Sequence, residues 1–284
     1  VEGLAAGMSL DDLQAVNHWL LGSGLDIHAM NAIRKRLSCI KGGRLAQALA
    51  PRKVHCLAIS DVPGDDPRAI GSGPLTADAR LQEPFNDSSL PDFMRALLKR
   101  ALPAPPPDDT CFANVRLEIV ASLSRACDAG AEAARGQGFK VVIHSGLLAG
   151  EAVQAGKECA RVILQSPPGE VHLWGGEATV VLSPQPGRGG RCQQLALSAA
   201  QELAGKTNVW LLAGATDGSD GPTEDAGAVV DGGTIARATT EGFDVTASLA
   251  DADAGRFLEA SGDLIQTGPT GTNVMDLVLG LRLE

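Results

Sequence analysis

The sequence predicts an α/β fold in two domains. Short apolar strand candidates alternate with segments whose apolar residues recur at helical spacing, and each polar loop follows a strand candidate. The 284 residues are 44% hydrophobic and 20% charged, which exceeds what one small domain needs. We place the domain boundary in the segment QSPPGE, so that the predicted domains cover 1–168 and 169–284.

The composition argues against a membrane protein and against a nucleic-acid-binding protein. No apolar run approaches the roughly 18 residues that a membrane span requires, and the first residues lack the pattern of a signal peptide. The six cysteines are spread singly, which is typical of buried thiols in a reducing compartment. The formal charge of −10 comes without a Lys/Arg stripe that would attract a phosphodiester backbone. We therefore predict a cytoplasmic protein that binds neither membranes nor nucleic acid.

Three helices are predicted before the first strand. Ser9 and Asp12 have the spacing of a capping box that opens a helix over 10–21. A second helix starts at Asp26, and a third follows a Gly-Gly break. The run VHCLAIS is then typical of a buried strand that ends in the polar loop SDVPGDDPRAIGSGP.

The middle of the chain continues the same alternation. We predict, in order, a helix around 90–101, a surface connection LPAPPPDD, an Ala-rich helix near 117–136, a buried strand KVVIHSG and a helix EAVQAGKECARVIL. Its three consecutive prolines allow LPAPPPDD to be neither a helix nor a central strand.

The last third is predicted to hold three strands and the most polar loops. In order they are the strands VHLWGG and ATVVLS, the loop PQPGRGGR, the helix QQLALSAAQELA, the strand VWLLAG, the loop ATDGSDGPTEDAGA, and a tail of short helices ending in LIQTGPTGTNVMDLVLGL. Loops that follow strands are where open α/β sheets bind their ligands.

The segment GRGGR directly precedes a predicted helix. Its glycines, Gly189 and Gly190, would expose unpaired N–H groups at the positive end of the helix dipole, and Arg188 and Arg191 add two guanidinium groups. This arrangement favours phosphate binding over the alternative of a plain flexible turn.

The segment TGPTGTNV offers a bent backbone and short polar side chains that suit a polyphosphate or a ribose. The candidate nucleotide-binding residues are Gly268, Thr270, Gly271, Thr272 and Asn273. The segment matches neither the P-loop nor the dinucleotide fingerprint, so a structural turn remains an equal alternative.

Two further loops carry charged candidates. Asp217 and Asp220 lack the spacing of a calcium loop but are compatible with a Mg²⁺ shared with substrate phosphates, the alternative being solvated turns. In RKRLSCIKGGR the Gly-Gly break would direct Lys41 and Arg44 from a turn towards an anionic substrate.

We also assign Ser60 and Asp61, in the loop after the first strand, to substrate binding. The five histidines form no arrangement typical of a hydrolase triad.

Together these loops resemble the class II glycerate kinases, whose smaller C-terminal domain is called MOFRL and whose members are often labelled hydroxypyruvate reductases. The matching segments, in the family's order, are AIRKRLSCIKGGRLA, LAISDVPGDDPRAIGSGP, GGEATVVL, GRGGRCQQLAL, ATDGSDGPTEDAGA and GDLIQTGPTGTNVMDL. The resemblance implies a larger Rossmann-like domain and a smaller MOFRL domain with a mixed sheet.

The resemblance also implies a reaction. The family uses ATP and Mg²⁺ to phosphorylate D-glycerate to 2-phosphoglycerate, and Arg191 stands at its catalytic arginine position. Loops built of glycine backbone, arginine and carboxylates suit phosphoryl transfer, which depends on positioning and charge neutralisation.

The family pattern further includes an N-terminal stretch with a Lys in a Gly-Lys-Ala context, which is absent ahead of Val1. We therefore expect the chain to lack the first part of its larger domain, and an unpaired sheet edge favours association, as in a homodimer, or instability.

Two alternative hypotheses stay open. One is an NAD(P)H-dependent hydroxypyruvate reductase, for which the chain offers no G-x-G-x-x-G unit after a strand. The other is a non-catalytic, truncated remnant that binds nucleotide or a small acid.

Overall fold

The computed structural model describes residues 2–5, 7–84 and 90–284, without the side chains of Ile27 and His28. These ranges contain ten α-helices and eight strands. They divide between a first unit, Val1–Ala58 with Gly64–Val120, and a second unit, Ile59–Pro63 with Ala121–Glu284. The predicted α/β class is confirmed. None of the helices in these described ranges is both long and apolar enough to cross a membrane.

The first unit contains most of the predicted N-terminal elements. They are α1 (Leu10–Gly22), α2 (Ile27–Leu37), α3 (Arg44–Leu49), β1 (Val54–Ile59), α4 (Asp92–Leu98) and β2 (Val115–Ala121). The capping box of α1 forms as predicted: Ser9 Oγ accepts from the backbone N–H of Asp12 at 3.1 Å, and the Asp12 carboxylate accepts from the backbone N–H of Ser9 at 2.8 Å. The three predicted N-terminal helices are present.

The strands β1 and β2 correct two predictions. β1 was expected to be a buried strand, but its residues alternate in exposure, with Leu57 at 63% and Ile59 at 44%. Residues 117–121 were predicted as the start of a helix and instead belong to β2, which pairs with β1. The alternating VRLEIVA pattern of β2 has the period of two that a half-exposed strand shows.

The second unit carries the larger sheet. Its elements are α5 (Leu123–Gly136), β3 (Lys140–Ile143), α6 (Ala152–Gln165), β4 (Glu170–Gly176), α7 (Arg191–Leu203), β5 (Val209–Ala215), β6 (Gly227–Asp231), α8 (Thr234–Thr240), α9 (Val245–Ala250), α10 (Ala254–Ser261), β7 (Leu264–Ile265) and β8 (Asp276–Arg282). The strand order is β3-β4-β8-β5-β6-β7, with β3 parallel to β4 and the remaining pairs antiparallel. The sheet is therefore mixed, as predicted.

Three predictions in this unit need correction. The segment of β8 was predicted to end a tail of short helices, but β8 is a strand in the middle of the sheet. The prediction failed because a short apolar run fits a buried strand and a helix equally well. ATVVLS, predicted as a strand, forms only an isolated bridge through Thr179, and its residues Val181 and Leu182 are 80% and 64% exposed. KVVIHSG supplies β3, an edge strand that is largely exposed instead of buried.

The compact units do not divide at the predicted boundary of 168 and 169. Residues 121–168 belong to the second unit because β3 pairs with β4 and α6 packs along α7. The segment QSPPGE is a connection inside that unit.

Helices α6 and α7 pack closely in the core of the second unit. Gly156 of α6 faces the backbone of α7, where a Cβ added at Gly156 would lie 2.2 Å from the carbonyl oxygen of Leu195. Because the opposing atom is backbone, neither helix can yield without moving as a whole.

We expect Gly156→Ala to lower the free energy of unfolding by about 2 kcal/mol through overpacking. Gly136→Ala is the matched control, because an added Cβ there meets nothing within 4 Å and alanine is the better helix former. Urea denaturation of both variants measures the difference. Equal effects of the two substitutions would contradict the packing described for α6 and α7.

Candidate active site

The candidate site lies in the second unit, at the edge of the six-stranded sheet where β4 and β5 end and β8 begins. Asp276 stands opposite Gly176 of β4 on one side and Ala215 of β5 on the other. The backbone N–H of Thr216, just after β5, donates to the carbonyl of Met275 at 3.2 Å. Loops from three strands and the start of α7 therefore meet at one edge.

Arg191 is the first residue of α7, and its guanidinium makes a two-point contact with Asp276. Nε donates to Oδ2 at 2.6 Å and Nη2 to Oδ1 at 3.1 Å, while Nη1 donates to Glu177. Burial works against the charge on Arg191, but the hydrogen bonds to Asp276 outweigh it and raise the pKa of the guanidinium. Since the Arg191 side chain is 32% exposed, it is a fixed cation that still reaches solvent.

The carboxylate of Asp220 occupies the N-terminus of α7. Oδ1 accepts from the backbone N–H of Cys192 at 3.0 Å and Oδ2 from that of Gln193 at 2.8 Å. Burial raises the pKa of Asp220 to about 6, against the two backbone hydrogen bonds, which lower it. The helix end that was predicted to bind phosphate is thus already occupied by a side chain.

Asp220 also departs from its predicted role as a metal ligand. The residue is 1% exposed, and both of its oxygens are engaged by backbone donors. A buried carboxyl in this position caps the helix and does not fit Mg²⁺.

Glycines allow the GRGGR segment and the Asp220 loop to touch. A Cβ on Gly190 would lie 2.3 Å from Cγ of Asp220, and one on Gly221 would lie 2.8 Å from the carbonyl oxygen of Gly189. Gly221 also has a φ of 62°, which favours glycine. These glycines are required for loop contact before any ligand is considered.

Arg188 is engaged within the protein. Nη2 donates to Asp225 at 2.8 Å and Nη1 to Glu259 at 2.7 Å, and the backbone N–H donates to Asp253 at 2.7 Å. The Asp225 side chain is 1% exposed, so removing Arg188 would leave a buried charge. Arg188 therefore holds loops together, and Arg191 is the better of the two candidates for contact with phosphate.

The segment TGPTGTNV lies against the loop that follows β5. The backbone N–H of Thr270 donates to the carbonyl of Asp217 at 3.1 Å, and Thr270 Oγ1 donates to the carbonyl of Thr216 at 2.6 Å. Asn273 Oδ1 accepts from the backbone N–H of Met275 at 3.0 Å. The exposed members of the segment are Gly268, Thr270, Gly271 and Asn273, with Thr272 half-buried.

A cavity of about 480 Å³ opens beside Arg191. Its apolar wall includes Ala178, Val180, Leu182, Pro222 and Ala252, and its polar lining includes Gly189, Gly190, Glu177, Arg191 and Gln194. Gln194 Nε2 donates to the carbonyl of Leu249 at 2.7 Å, whereas its buried Oε1 has no hydrogen-bond partner in the described part of the chain. The volume lies within the range of about 300–1,000 Å³ that is usual for small-molecule sites.

Known protein families and relatives match this chain over most of its length. The MOFRL family matches residues 170–276, and a family described as a domain of unknown function, DUF4147, matches residues 1–88. A protein of Thermotoga maritima named D-glycerate 2-kinase is 37% identical over 97% of this chain and 67% of its own length. The chain belongs to the class II glycerate kinase family.

Further relatives support the same family. The crystal structure of glycerate kinase from Thermotoga maritima superposes with a TM-score of 0.87 at 34% identity, covering 99% of this chain and 70% of that one. An Agrobacterium vitis protein that carries the provisional name hydroxypyruvate reductase is 40% identical over 96% of this chain and 74% of its own length. Across the bacterial and archaeal relatives, the chain spans 64% to 74% of their length.

The structure places the four predicted substrate residues as follows. In the first unit, Lys41 forms an ion pair with Glu2. Arg44 is 4% exposed, and its guanidinium donates to the backbone carbonyls of Lys35, Lys41 and Leu102. In the second unit, Ser60 is buried and Asp61 is exposed. The bonds of Arg44 hold the turn after α2, so we remove it from the proposed substrate contacts.

Three residues of the candidate site were missed in the sequence. Asp276 and Glu177 fix Arg191, and Gln194 lines the cavity. Glu177 lies in the family segment GGEATVVL, which was a usable signal. Asp276 is 85 residues away from Arg191, so no local pattern connects them.

Proposed function

We propose that the chain is a glycerate 2-kinase that transfers a phosphoryl group from Mg-ATP to D-glycerate and forms 2-phosphoglycerate. The observation that carries the proposal is the Arg191 guanidinium, held by Asp276 and Glu177 beside a ligand-sized cavity and two glycines. Phosphoryl transfer requires little covalent chemistry from a protein and much fixed positive charge.

Arg191 has donors to spare for that task. A guanidinium carries five N–H donors, and the contacts with Asp276 and Glu177 use three of them. The remaining donors can bind the transferring phosphoryl group, whose charge spreads over its outer oxygens in the transition state. Asp276 thereby fixes the direction of the fork, since a two-point contact restricts both its position and its plane.

We propose that the cavity receives the nucleotide. Its apolar wall suits a base, and Gly189 and Gly190 line it beside Arg191, where a chain of phosphates would lie. The exposed residues Gly268, Thr270, Gly271 and Asn273, together with Thr272, stay our candidates for the phosphate and ribose oxygens.

Mg²⁺ is proposed to arrive with ATP as part of the substrate. No group of three or more His, Cys, Asp or Glu side chains in the described ranges is arranged to enclose a metal ion. Asp217 is half-buried, with Oδ1 accepting from the backbone N–H of Ser219 at 3.0 Å, and it can contact a hydrated Mg²⁺ held mainly by phosphates. Lys41 in the first unit and Asp61 in the second each remain a proposed contact for an anionic substrate, whereas the buried Ser60 does not.

The test is turnover with D-glycerate. With Mg-ATP and D-glycerate we expect release of ADP and formation of a product whose phosphate NMR spectrum is that of 2-phosphoglycerate. Titration with NADH, followed by its fluorescence, is expected to show no binding at micromolar concentrations. Oxidation of NADH on addition of hydroxypyruvate would overturn the proposal in favour of the reductase, and Mg-ATP binding without turnover would favour the non-catalytic alternative.

A further inference from the structure

A second polar cavity lies in the first unit, away from any residue used above except Lys41. It has a volume of about 230 Å³ and is lined by residues of α1, α2 and the turns that follow α2 and precede Gly73. Its polar lining consists of Glu2, Asn17, Asn31, Arg34, Lys41 and Ser72. The backbone N–H of Gly42 donates to the carbonyl of Ser72 at 3.1 Å, which brings the two turns together.

Arg34 is the unusual member of this cavity. Its Nε donates to Oδ1 of Asn17 at 3.1 Å and its Nη1 to Oδ1 of Asn31 at 3.4 Å. No carboxylate in the described ranges forms an ion pair with this half-buried guanidinium. Two neutral amides thus hold the guanidinium in place without cancelling its charge, which leaves a pre-oriented cation facing a cavity.

The other charges of the cavity do not neutralise Arg34. The Glu2 carboxylate accepts from Lys41 Nζ and from Ser38 Oγ, the latter at 2.6 Å. Glu2 and Lys41 therefore compensate each other, and the cavity keeps one unbalanced positive charge, that of Arg34. Such a charge, with hydrogen-bond donors around it, attracts a small anion.

Neutral donors surround the cation. Because the Oδ1 atoms of Asn17 and Asn31 face Arg34, the Nδ2 groups of both amides point elsewhere, and neither has an acceptor among the residues that the structure describes. A carboxylate bound to Arg34 would bring hydroxyl oxygens on its neighbouring carbons within reach of such groups. At about 230 Å³ the cavity is smaller than the usual small-molecule site and suits an acid of three or four carbons.

We propose that this cavity binds the carboxylate of a small hydroxy acid through Arg34, with Asn17 and Asn31 as the residues that position the guanidinium and donate to the acid's hydroxyl groups. The identification of that acid as the phosphoryl acceptor rests on the proposed function. The carboxylate-binding role of Arg34 rests on the cavity alone.

Asn17→Asp tests the proposal with little risk to the fold. The substitution keeps the shape of the side chain and places a carboxylate against Arg34, so the thermal unfolding midpoint should stay the same or rise. An internal carboxylate competes with the ligand, and we expect the Kd for D-glycerate, measured by titration calorimetry on the full chain, to increase about tenfold or more. Arg34→Met should weaken binding by about ten- to a hundredfold.

Two controls sharpen the result. Arg52→Met removes an exposed cation of the same unit outside the cavity and should leave the Kd unchanged. Glycerol, which lacks the carboxylate, should not bind, whereas L-lactate should bind and should lose affinity in the same two variants. Binding of Mg-ATP should be equal in all of these proteins.

The outcomes separate this inference from the proposed function. An unchanged D-glycerate Kd in Asn17→Asp and Arg34→Met, or no binding of D-glycerate to the unaltered chain, would overturn the cavity assignment even if turnover with D-glycerate were observed. Binding that is lost with Arg34 in a chain without kinase turnover would support the cavity and reject the kinase.

Discussion

Arg191→Met is expected to lower kcat for phosphoryl transfer to D-glycerate by about a thousandfold, with a much smaller change in KM. The donors of Arg191 that remain after its contacts with Asp276 and Glu177 are proposed to act on charge that develops only in the transition state. Loss of such an interaction reduces kcat and kcat/KM together. Steady-state kinetics in a coupled ADP assay measures both parameters.

Arg191→Met is also expected to destabilise the protein, so the experiment needs a control for stability. Asp276, with a side chain that is 3% exposed, would be left as a buried, unpaired carboxylate. The double variant Arg191→Met/Asp276→Asn removes that charge and should regain most of the lost stability while staying inactive. Arg256→Met, at an exposed site with a 3.6 Å ion pair to Asp253, should keep full activity. A folded Arg191→Met protein with unaltered kcat would refute the role we assign to Arg191.

Asp220→Ala is expected to lower the free energy of unfolding by about 3 kcal/mol at pH 7. The substitution removes both acceptors of the backbone N–H groups of Cys192 and Gln193, which are buried at the start of α7. Asp217→Ala is the matched control, because that carboxyl is half-buried and accepts one backbone hydrogen bond. Its effect should stay below about 1 kcal/mol. A loss no larger than in the control would contradict the capping role.

The contribution of Asp220 to the free energy of unfolding should increase as the pH falls. Burial raises the pKa of this carboxyl from 3.8 to about 6, so the native protein binds the proton more tightly than the unfolded chain does. The penalty for the buried charge is present in full above pH 6 and is relieved as the pH falls towards 4. Relative to Asp220→Ala, the unaltered protein should therefore gain up to about 3 kcal/mol between pH 7 and pH 4. Urea midpoints at both pH values measure it, and a difference that shrinks on acidification would show that the hydrogen bonds dominate.

Local signals in the sequence predicted the helices well. The capping pair Ser9 and Asp12 fixed the start of α1, and Asp26 caps α2 by accepting from the backbone N–H of Ala29 at 2.8 Å. Strands were harder, because a strand needs a partner that the local sequence does not contain. The segment ATVVLS has high strand propensity yet lies outside the sheet, whereas the segment of β8 lies at its centre.

The site shows the same division between local and long-range information. Arg191 could be selected as a candidate because a Gly-Gly pair before a helix is a local pattern. Its partner Asp276 could not be predicted, because it lies 85 residues away and is placed near the start of α7 by the long-range pairing of β8 with β4 and β5. Asp220 was predicted as a metal ligand because an Asp in a Gly-rich loop has the same appearance whether it binds a cation or caps a helix. Only its burial and its two backbone donors distinguish these roles.

The central position of β8 also governs when the second unit can be completed during synthesis. β8 joins β4 to β5, but it leaves the ribosome after every other strand of the sheet. Until then the sheet exists as two separate halves, each with an unpaired edge, and Arg191 lacks Asp276. A nascent chain that stalls before residue 276 would therefore be an aggregation-prone and chaperone-dependent species, although it already contains the GRGGR loop.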